Sequence, residues 1–271
     1  MQLAIGFSLG LLISVLAWRT RTLSQSGAIA ATLSGGLVFG LGGFAWAVLL
    51  LVFFISSSLL SRLPLSGKRS VGEKYAKGSQ RDWGQVLANG GLGALLVITF
   101  TLSPGKTWLW IAYAGAMAAV NADTWSTELG ILDPSLPRLI TSGKIVEPGT
   151  SGAVSALGSL AALGGSGLIA LCAAFLTTWE SLDQIGFVLL IAFVTIGGLS
   201  GAFFDSFLGA TVQAIYYCPS CRKETERHPI HICGTETNHM HGWRWINNDM
   251  VNFACSIAGA SVAAGLFLIL N

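Results

Sequence analysis

Long apolar segments recur along almost the whole chain, and only short polar stretches separate them. A helix needs ~20 consecutive apolar residues to cross the ~30 Å hydrocarbon core of a bilayer. The segments that reach or approach this length are 2–18, 26–41, 44–61, 85–102, 106–122, 152–177, 184–204 and 248–270. The sequence therefore predicts an all-α, polytopic transmembrane helix bundle with about eight spans, in a range of seven to nine.

Composition excludes a water-soluble fold. Only 10% of the 271 residues are charged and mean hydropathy is +0.66, whereas a soluble domain carries ~25% charged residues because water must solvate its surface. The 34 glycines lie inside apolar runs, where small residues let helices pack closely in lipid. A net charge of +2 is too small to indicate a nucleic-acid partner. We expect one integral-membrane domain over 1–271, with the lipid bilayer as its surroundings.

Basic residues fall almost entirely on one side of the predicted bundle. With eight spans, Lys106 stands alone on one side and every other Lys and Arg lies on the opposite side. The positive-inside rule assigns that opposite side to the cytoplasm and both termini to the outside. Arg19 and Arg21 follow the first segment, which favours a retained helix over a cleaved signal peptide. The cytoplasmic loops with room for chemistry are 62–84, 123–150 and 214–247.

Two short segments echo each other. Residues 26–29 and 151–154 both read Ser-Gly-Ala followed by a β-branched residue, and each introduces a glycine-rich segment. Paired, interrupted helices in two halves are one way in which membrane proteins build a binding site. The echo suggests an internal duplication, although small-residue helices also resemble one another by chance.

Polar groups at membrane depth are costly and mark candidate functional sites. The first cluster occupies residues 121–128. At 100° per residue, Asn121 and Glu128 share one helix face, whereas Asp123 lies far around the axis. Both acids can address one ligand only if the helix unwinds or ends here. The alternative interpretation is a solvated helix end.

Two further clusters contain single acids. Asp205 lies midway between Gly201 and Gly209, on a stripe that another helix or a phosphate could approach closely; the alternative is a helix-packing seam with a snorkelling acid. Asp249 lies between Asn248 and Asn252 at the start of the last span. Here the alternative is an acid that simply favours the helix N-terminus through the macrodipole.

Two cytoplasmic segments have the composition of anion sites. Residues 62–82 hold six basic residues, and residues 141–155 are rich in glycine and hydroxyl groups and include Lys144. Backbone N–H groups at helix starts, hydroxyls and a lysine can bind phosphate, but the spacing is not that of a P-loop. A basic loop is also what membrane topology and anionic lipid select.

A separate loop has the spacing of a zinc knuckle. The candidate ligands are Cys218, Cys221, Cys233 and one of His231, His239 and His241. Such a sulfur-rich set is typical of a structural zinc site rather than a catalytic one. Cys172 and Cys255 lie within spans and are interpreted as packing residues. Because the cytoplasm is reducing, we expect no disulfides.

Six ordered motifs resemble those of the integral-membrane family that includes plant phytyl-phosphate kinase and animal transmembrane protein nineteen. They are residues 21–28, 85–91, 122–128, 148–152, 205–210 and 248–252. The resemblance covers nearly the whole chain. It implies a phosphotransferase in a bacterial-type plasma membrane or thylakoid membrane. Its reaction would convert a prenyl monophosphate, such as phytyl phosphate, to the diphosphate with a nucleoside triphosphate, and CTP is the expected donor. In photosynthetic organisms this product feeds tocopherol synthesis.

The working hypothesis is therefore a magnesium-dependent kinase with a phosphate group as acceptor. Its magnesium ligands would be Asp123, Glu128, Asp205 and Asp249. The groups that orient phosphates would be Asn89, Asn121, Thr150, Ser151, Ser206, Asn248 and Asn252. The cations that hold the two anions together would be Lys68, Arg69, Lys74, Arg81 and Lys144. The competing hypotheses are a nucleotidyltransferase that acts on a lipid phosphate and a secondary transporter.

Overall fold

The computed structural model describes residues 1–64, 74–76, 80–177 and 186–270, and eight α-helices lie within these ranges. The helices are α1 (Gln2–Arg19), α2 (Gln25–Leu37), α3 (Phe44–Arg62), α4 (Trp83–Leu102), α5 (Thr107–Gly130), α6 (Ala156–Leu176), α7 (Phe187–Thr211) and α8 (Asn248–Leu270). A π-helix, Val38–Gly42, continues α2. The strands are β1 (Arg138–Leu139), β2 (Ala153–Val154), β3 (Ile215–Cys218), β4 (Lys223–Thr225) and β5 (Asn238–His241).

Six of these helices are long and apolar enough to cross a membrane, namely α1, α3, α4, α6, α7 and α8. Helix α2 has only 13 residues before the π-helix. Helix α5 is absent from the six for a different reason: residues 109–122 are all buried inside the bundle, so this helix contacts protein rather than lipid and does not need an apolar surface. The described residues thus form a polytopic helical membrane protein with six candidate spans, against about eight predicted.

Helix α5 is the centre of the bundle, and it packs against α3, α4, α6, α7 and α8. Glycines allow α5 and α8 to touch backbone to backbone. A Cβ atom on Gly259 of α8 would lie 2.6 Å from the carbonyl oxygen of Gly115 and 2.5 Å from Cβ of Ala119. A Cβ atom on Gly197 of α7 would lie 2.7 Å from the carbonyl oxygen of Gly259. Small residues therefore fix how near the polar ends of these three helices come to one another.

Helix α5 neither unwinds nor ends at Asp123, so the condition under which Asp123 and Glu128 could address one ligand is not met. Helix α5 is continuous to Gly130, so the loop predicted to begin at residue 123 begins after Gly130. As predicted, Asn121 and Glu128 lie on one face of α5 and Asp123 lies on another. Ser56 and Ser61 of α3 donate hydrogen bonds to Asn121 and Glu128, at 2.9 and 2.6 Å, whereas Asp123 faces another helix. Polar partners on neighbouring helices let these residues remain helical.

The connections add structure that an all-α class does not include. Strands β1 and β2 pair antiparallel, and β3 lies between β4 and β5 in a three-stranded antiparallel sheet. Gly43, with φ of +80°, makes the break between the π-helix and α3. The two echoing segments differ: residues 26–29 lie in α2, whereas residues 151–154 form a turn and strand β2.

Candidate functional site

Acidic side chains from separate parts of the chain lie within electrostatic range of one another at one end of the bundle. The carboxylate of Asp205 on α7 lies close enough to those of Asp123 and Glu226 for the like charges to repel. The charge of Asp249, in the first turn of α8, acts in turn on Glu226. We name Asp123, Asp205, Glu226 and Asp249 the acidic cluster. Three of its members are acids that the sequence singled out.

Asp205 is held between two close helix contacts. Gly201 packs against Ala119 of α5, and Gly209 packs against Ser151, whose Oγ would lie 2.7 Å from a Cβ at that glycine. The Oδ2 atom of Asp205 is buried and has no hydrogen-bond partner within the described part of the chain. A buried carboxylate oxygen left without a donor is costly, so it normally serves a ligand or an ion.

Glu226 is the member that the sequence reasoning missed. It follows β4 and accepts hydrogen bonds from Gln213 Nε2 at 2.9 Å and from the backbone N–H of Ala76 at 3.2 Å. Burial raises the pKa of Glu226, and the Asp249 carboxylate raises it further, while the two hydrogen bonds oppose the shift. No local pattern distinguishes Glu226 from Glu224. Glu226 reaches the cluster through its contact with Gln213, which follows α7.

The donor groups of the acidic cluster are of the kind that magnesium takes. Carboxylate oxygens are the ligands that Mg²⁺ takes from proteins, usually one or two with water and substrate phosphates completing its shell. The acidic cluster supplies several such oxygens, and Asp205 Oδ2 has no other partner in the described structure. The residues that would hold the ion are Asp123, Asp205 and Asp249, with Glu226 beside them.

Glu128 occupies a neighbouring position on the α3 side of α5. Its carboxylate accepts the hydrogen bond from Ser61. Tyr75 lies within electrostatic range of acids on both sides of α5: burial raises the pKa of Tyr75, and Glu226, Glu128 and Asp123 raise it further. The structure therefore places Glu128 close to the acidic cluster but on a different face of the helix.

Arg81 lies within electrostatic range of the Glu128 carboxylate. Its guanidinium donates to Ser58 Oγ at 3.3 Å and lies 5.5 and 5.7 Å from the ring centroids of Phe53 and Phe54. Burial lowers the pKa of Arg81 to about 10, and the Glu128 carboxylate opposes that shift. Arg81 therefore remains positively charged at neutral pH.

An apolar groove begins at Arg81. It has a volume of about 250 Å³ and lies between α1, α2, α3 and α4. Its walls include Leu9, Ser34, Gly35, Ala47, Phe53 and Val86, and its polar end is formed by Arg81, Gln85 and Asn89. Sites for small molecules commonly have this character, a mostly apolar cavity with a few convergent polar groups. The sequence reasoning identified the polar end but not the groove, because its walls come from four different helices.

Two predicted phosphate-binding side chains make structural contacts. Asn121 is fully buried, and its amide donates to the carbonyl oxygen of Gly165 on α6 at 2.8 Å while it accepts from α3. Lys74 donates to Glu147 at 3.0 Å and to the carbonyl oxygen of Pro148 at 3.1 Å. Asn121 thus links helices, and Lys74 fixes the start of the loop that contains Thr150 and Ser151.

The remaining predicted residues have varied positions. Ser151 donates to Gln213, the residue that also holds Glu226, at 3.1 Å. Lys144 is exposed at a turn next to β1. Lys68 and Arg69 lie outside the described residues. The predicted residues that are partly buried near the acidic cluster or the loop beside it are Thr150, Ser206, Asn248 and Asn252.

The cysteine loop brings four of the predicted ligands together. The ligand atoms of Cys218, Cys221, His231 and Cys233 all lie within 4.8 Å of one another. His239 instead approaches the carbonyl oxygen of Gly242 at 3.1 Å. Of the three histidines that spacing left open, the fold therefore brings His231 to the cysteines.

Comparison with known proteins identifies relatives along most of the chain. Residues 8–260 match the model of a family described as integral membrane protein DUF92. The chain is 36% identical over 259 residues to Protein PGR of Arabidopsis thaliana, covering 89% of this chain and 88% of that protein. It is also 36% identical over 206 residues to an uncharacterized membrane protein of Methanocaldococcus jannaschii, covering 75% of this chain and 81% of that protein.

A further relative is Protein VTE6, chloroplastic, of Arabidopsis thaliana. It is 25% identical over 245 residues, which cover 89% of this chain and 64% of that protein. No solved structure matches the chain. The family match confirms the resemblance that the six motifs indicate, and the chain belongs to the DUF92 family of integral membrane proteins.

Proposed function

We propose that this protein is a magnesium-dependent membrane phosphotransferase that converts a prenyl monophosphate to its diphosphate at the expense of a nucleoside triphosphate, with CTP as the expected donor. The observation that carries the proposal is an apolar groove that ends at the partly buried Arg81, together with Glu128 near this arginine and the acidic cluster on the other face of the Glu128 helix. Membership of a family that resembles phytyl-phosphate kinase agrees with this chemistry.

The groove suits the prenyl chain, and its polar end suits the phosphate. An isoprenoid chain is apolar along its whole length, so a groove between membrane helices can hold it in place of lipid chains. Arg81 would then pair with the acceptor phosphate, and the amides of Gln85 and Asn89 would donate to its oxygens. Because the acceptor is already an anionic oxygen, these residues need to position it rather than to remove a proton.

The acidic cluster suits the triphosphate through a bound metal. Magnesium, when bound, would neutralise phosphate charge and so reduce the repulsion between donor and acceptor. Asp123, Asp205 and Asp249 would hold the ion, and Glu226 and Ser206 would orient phosphate or water. Glu128, which faces α3, would instead maintain the position of Arg81. Positioning and charge neutralisation account for most of the catalysis in phosphoryl transfer.

We further propose that all eight helices cross the membrane and that the acidic cluster faces the cytoplasm. The helix ends beside the cluster carry nearly all the basic residues, which the positive-inside rule assigns to the cytoplasm. Both termini would then lie outside. Helix α5 would cross without lipid contact, sheltered by the helices around it.

The packing of the opposite half of the bundle favours an enzyme over a transporter. A transporter needs polar groups along a path through the bilayer. Here the ring of Trp46 lies 4.5 Å from that of Tyr113 and 5.3 Å from that of Trp110, measured between centroids. The hydroxyl of Tyr113 is used in a 2.7 Å hydrogen bond to the carbonyl oxygen of Trp46. This part of the bundle is filled by aromatic side chains.

A label-transfer assay tests the reaction. Purified protein is incubated with Mg²⁺, a prenyl monophosphate and CTP labelled either in its terminal or in its α-phosphate. We expect label from the terminal phosphate to appear in prenyl diphosphate, and label from the α-phosphate to stay in CDP. Transfer of the α-label to lipid would contradict the kinase and identify a nucleotidyltransferase. Replacing CTP by ATP, GTP or UTP identifies the donor base.

A groove-filling variant tests the prenyl site. Gly35 lines the groove, and a Cβ at this position meets no described atom within 4 Å, so Gly35→Leu should fold and occupy the groove. We expect the KM for the prenyl monophosphate to rise ~10-fold or more, because one misplaced methylene in a hydrophobic pocket changes recognition ~10–200-fold. The KM for CTP should not change. Gly167→Leu, equally unobstructed but outside the groove, is the matched control. Equal KM values for the prenyl monophosphate in both variants would exclude the groove as the prenyl site.

A further inference from the structure

We propose that Cys218, Cys221, His231 and Cys233 bind one zinc ion, and that this ion holds the hairpin that places Glu226 in the acidic cluster. The spacing of the cysteines predicts the metal site, but its connection to Glu226 appears only in the fold. The zinc site is independent of the reaction, whereas its role in placing Glu226 rests on the proposed function of the acidic cluster.

The four ligand atoms lie within 4.8 Å of one another, close enough to share one ion. The sulfur atoms of Cys218 and Cys233 lie 3.5 Å apart, and His231 Nδ1 lies 3.5 Å from the sulfur of Cys221 and 3.3 Å from that of Cys233. Zinc–sulfur bonds of ~2.3 Å place tetrahedral corners ~3.8 Å apart. A disulfide would need sulfurs ~2.05 Å apart. The observed separations therefore suit a shared metal ion and not a disulfide.

The backbone around the ligands also has the form of a metal knuckle. The N–H of Cys221 donates to the sulfur of Cys218 at 3.5 Å, and Arg222 adopts a left-handed conformation with φ of +53°. The backbone N–H of His231 donates to the carbonyl oxygen of Thr235 at 2.9 Å, and the Thr235 hydroxyl lies 3.4 Å from the sulfur of Cys233. Such contacts orient metal ligands and tune their affinity.

The same hairpin carries the knuckle at its tip and Glu226 at its base. Strand β3 runs from the end of α7 to Cys218, and β4 returns from the knuckle and ends immediately before Glu226. The backbone N–H of Glu226 donates to the carbonyl oxygen of Lys74 at 2.8 Å, and its side chain binds Gln213 and Ala76. A zinc ion at the tip would therefore stabilise the hairpin whose base delivers this carboxylate.

Zinc content tests the metal site without any turnover. The full chain is purified in detergent from zinc-supplemented cells, dialysed without chelator and analysed by elemental mass spectrometry. We expect one zinc ion per chain, lost in Cys221→Ser and in Cys233→Ser. Cys172→Ser and His239→Gln, which remove the same groups outside the site, should retain it. Wild-type protein without zinc, or Cys221→Ser with undiminished zinc, would overturn the site.

Limited proteolysis and divalent-ion binding test the connection to Glu226. Trypsin should cleave the hairpin at Lys223 or Arg227 faster after zinc is chelated.

Electron paramagnetic resonance measures the binding of Mn²⁺ to the acidic cluster. We expect the Mn²⁺ affinity to fall by a similar factor in Cys221→Ser and Glu226→Gln, ~10-fold or more. The double variant should be no weaker than either single variant. If the losses of Mn²⁺ affinity were additive, or if Cys221→Ser bound Mn²⁺ as wild type does, the connection between the zinc site and Glu226 would be refuted. The zinc site itself would stand. Wild-type protein that binds no Mn²⁺ would instead refute the proposed metal-dependent function.

Discussion

Asp205→Asn is expected to lower kcat at least ~100-fold while the protein still folds and inserts, because a single preorganised electrostatic contact to a reacting group contributes ~10²–10³-fold. Asparagine has nearly the same shape as aspartate, so the tight packing at Gly201 and Gly209 is preserved. The substitution removes the negative charge beside Asp123 and Glu226. A metal that is held by these carboxylates would lose a ligand, and the donor phosphates would lose their partner.

The measurement is prenyl diphosphate formation at saturating Mg²⁺, with thermal unfolding in the same detergent as a test of folding. Asp133→Asn is the matched control, because Asp133 accepts hydrogen bonds from the backbone N–H groups of Leu157 and Ser135. These bonds hold the pKa of Asp133 below its usual range, but they serve the start of α6 rather than the acidic cluster. Turnover by Asp205→Asn that equals turnover by this control would remove Asp205 from the site.

Gly259→Ala is expected to destabilise the bundle by ~1–3 kcal/mol, the usual cost of adding a methyl group to a well-packed core. The new Cβ would lie 2.5 Å from Cβ of Ala119 and 2.6 Å from the carbonyl oxygen of Gly115. Neither obstacle is the end of a flexible side chain, so α5 and α8 would have to move apart. Activity should fall as well, because this contact joins the two helices that carry Asp123 and Asp249.

Gly265→Ala provides the comparison within the same helix. A Cβ at Gly265 meets no described atom within 4 Å, and alanine is a better helix former than glycine. Thermal unfolding of both variants in one detergent should show a lower midpoint for Gly259→Ala and an unchanged or higher midpoint for Gly265→Ala. Equal midpoints would mean that the helices do not depend on the close contact at Gly259.

The positions of most helices follow from local sequence, whereas the ends of two of them do not. Apolar length predicts α8 over 248–270, as observed. The same criterion ends the fifth and seventh segments at 122 and 204, yet α5 and α7 continue to Gly130 and Thr211. Polar residues normally signal the end of a membrane helix, but here neighbouring helices and loops provide their partners. That compensation involves residues distant in sequence, so local patterns do not reveal it.

The candidate site divides in the same way. Local spacing identifies the acids at 123, 205 and 249 and the cysteine knuckle at 218–221, because each is a compact cluster of polar residues in an apolar chain. Spacing also predicts that Asn121 and Glu128 share a face, and both meet serines of α3. It could not show that the amide of Asn121 is used to join helices.

By itself, the sequence determined that this chain is a helical membrane protein with acids and cations gathered on one side, because both properties depend on composition and short-range periodicity. Only the tertiary structure decided which acids meet, that Glu226 joins them and that four helices enclose an apolar groove ending at Arg81. The physical reason is that helix packing, set by glycines far apart in the chain, fixes these distances, and no local pattern contains that information.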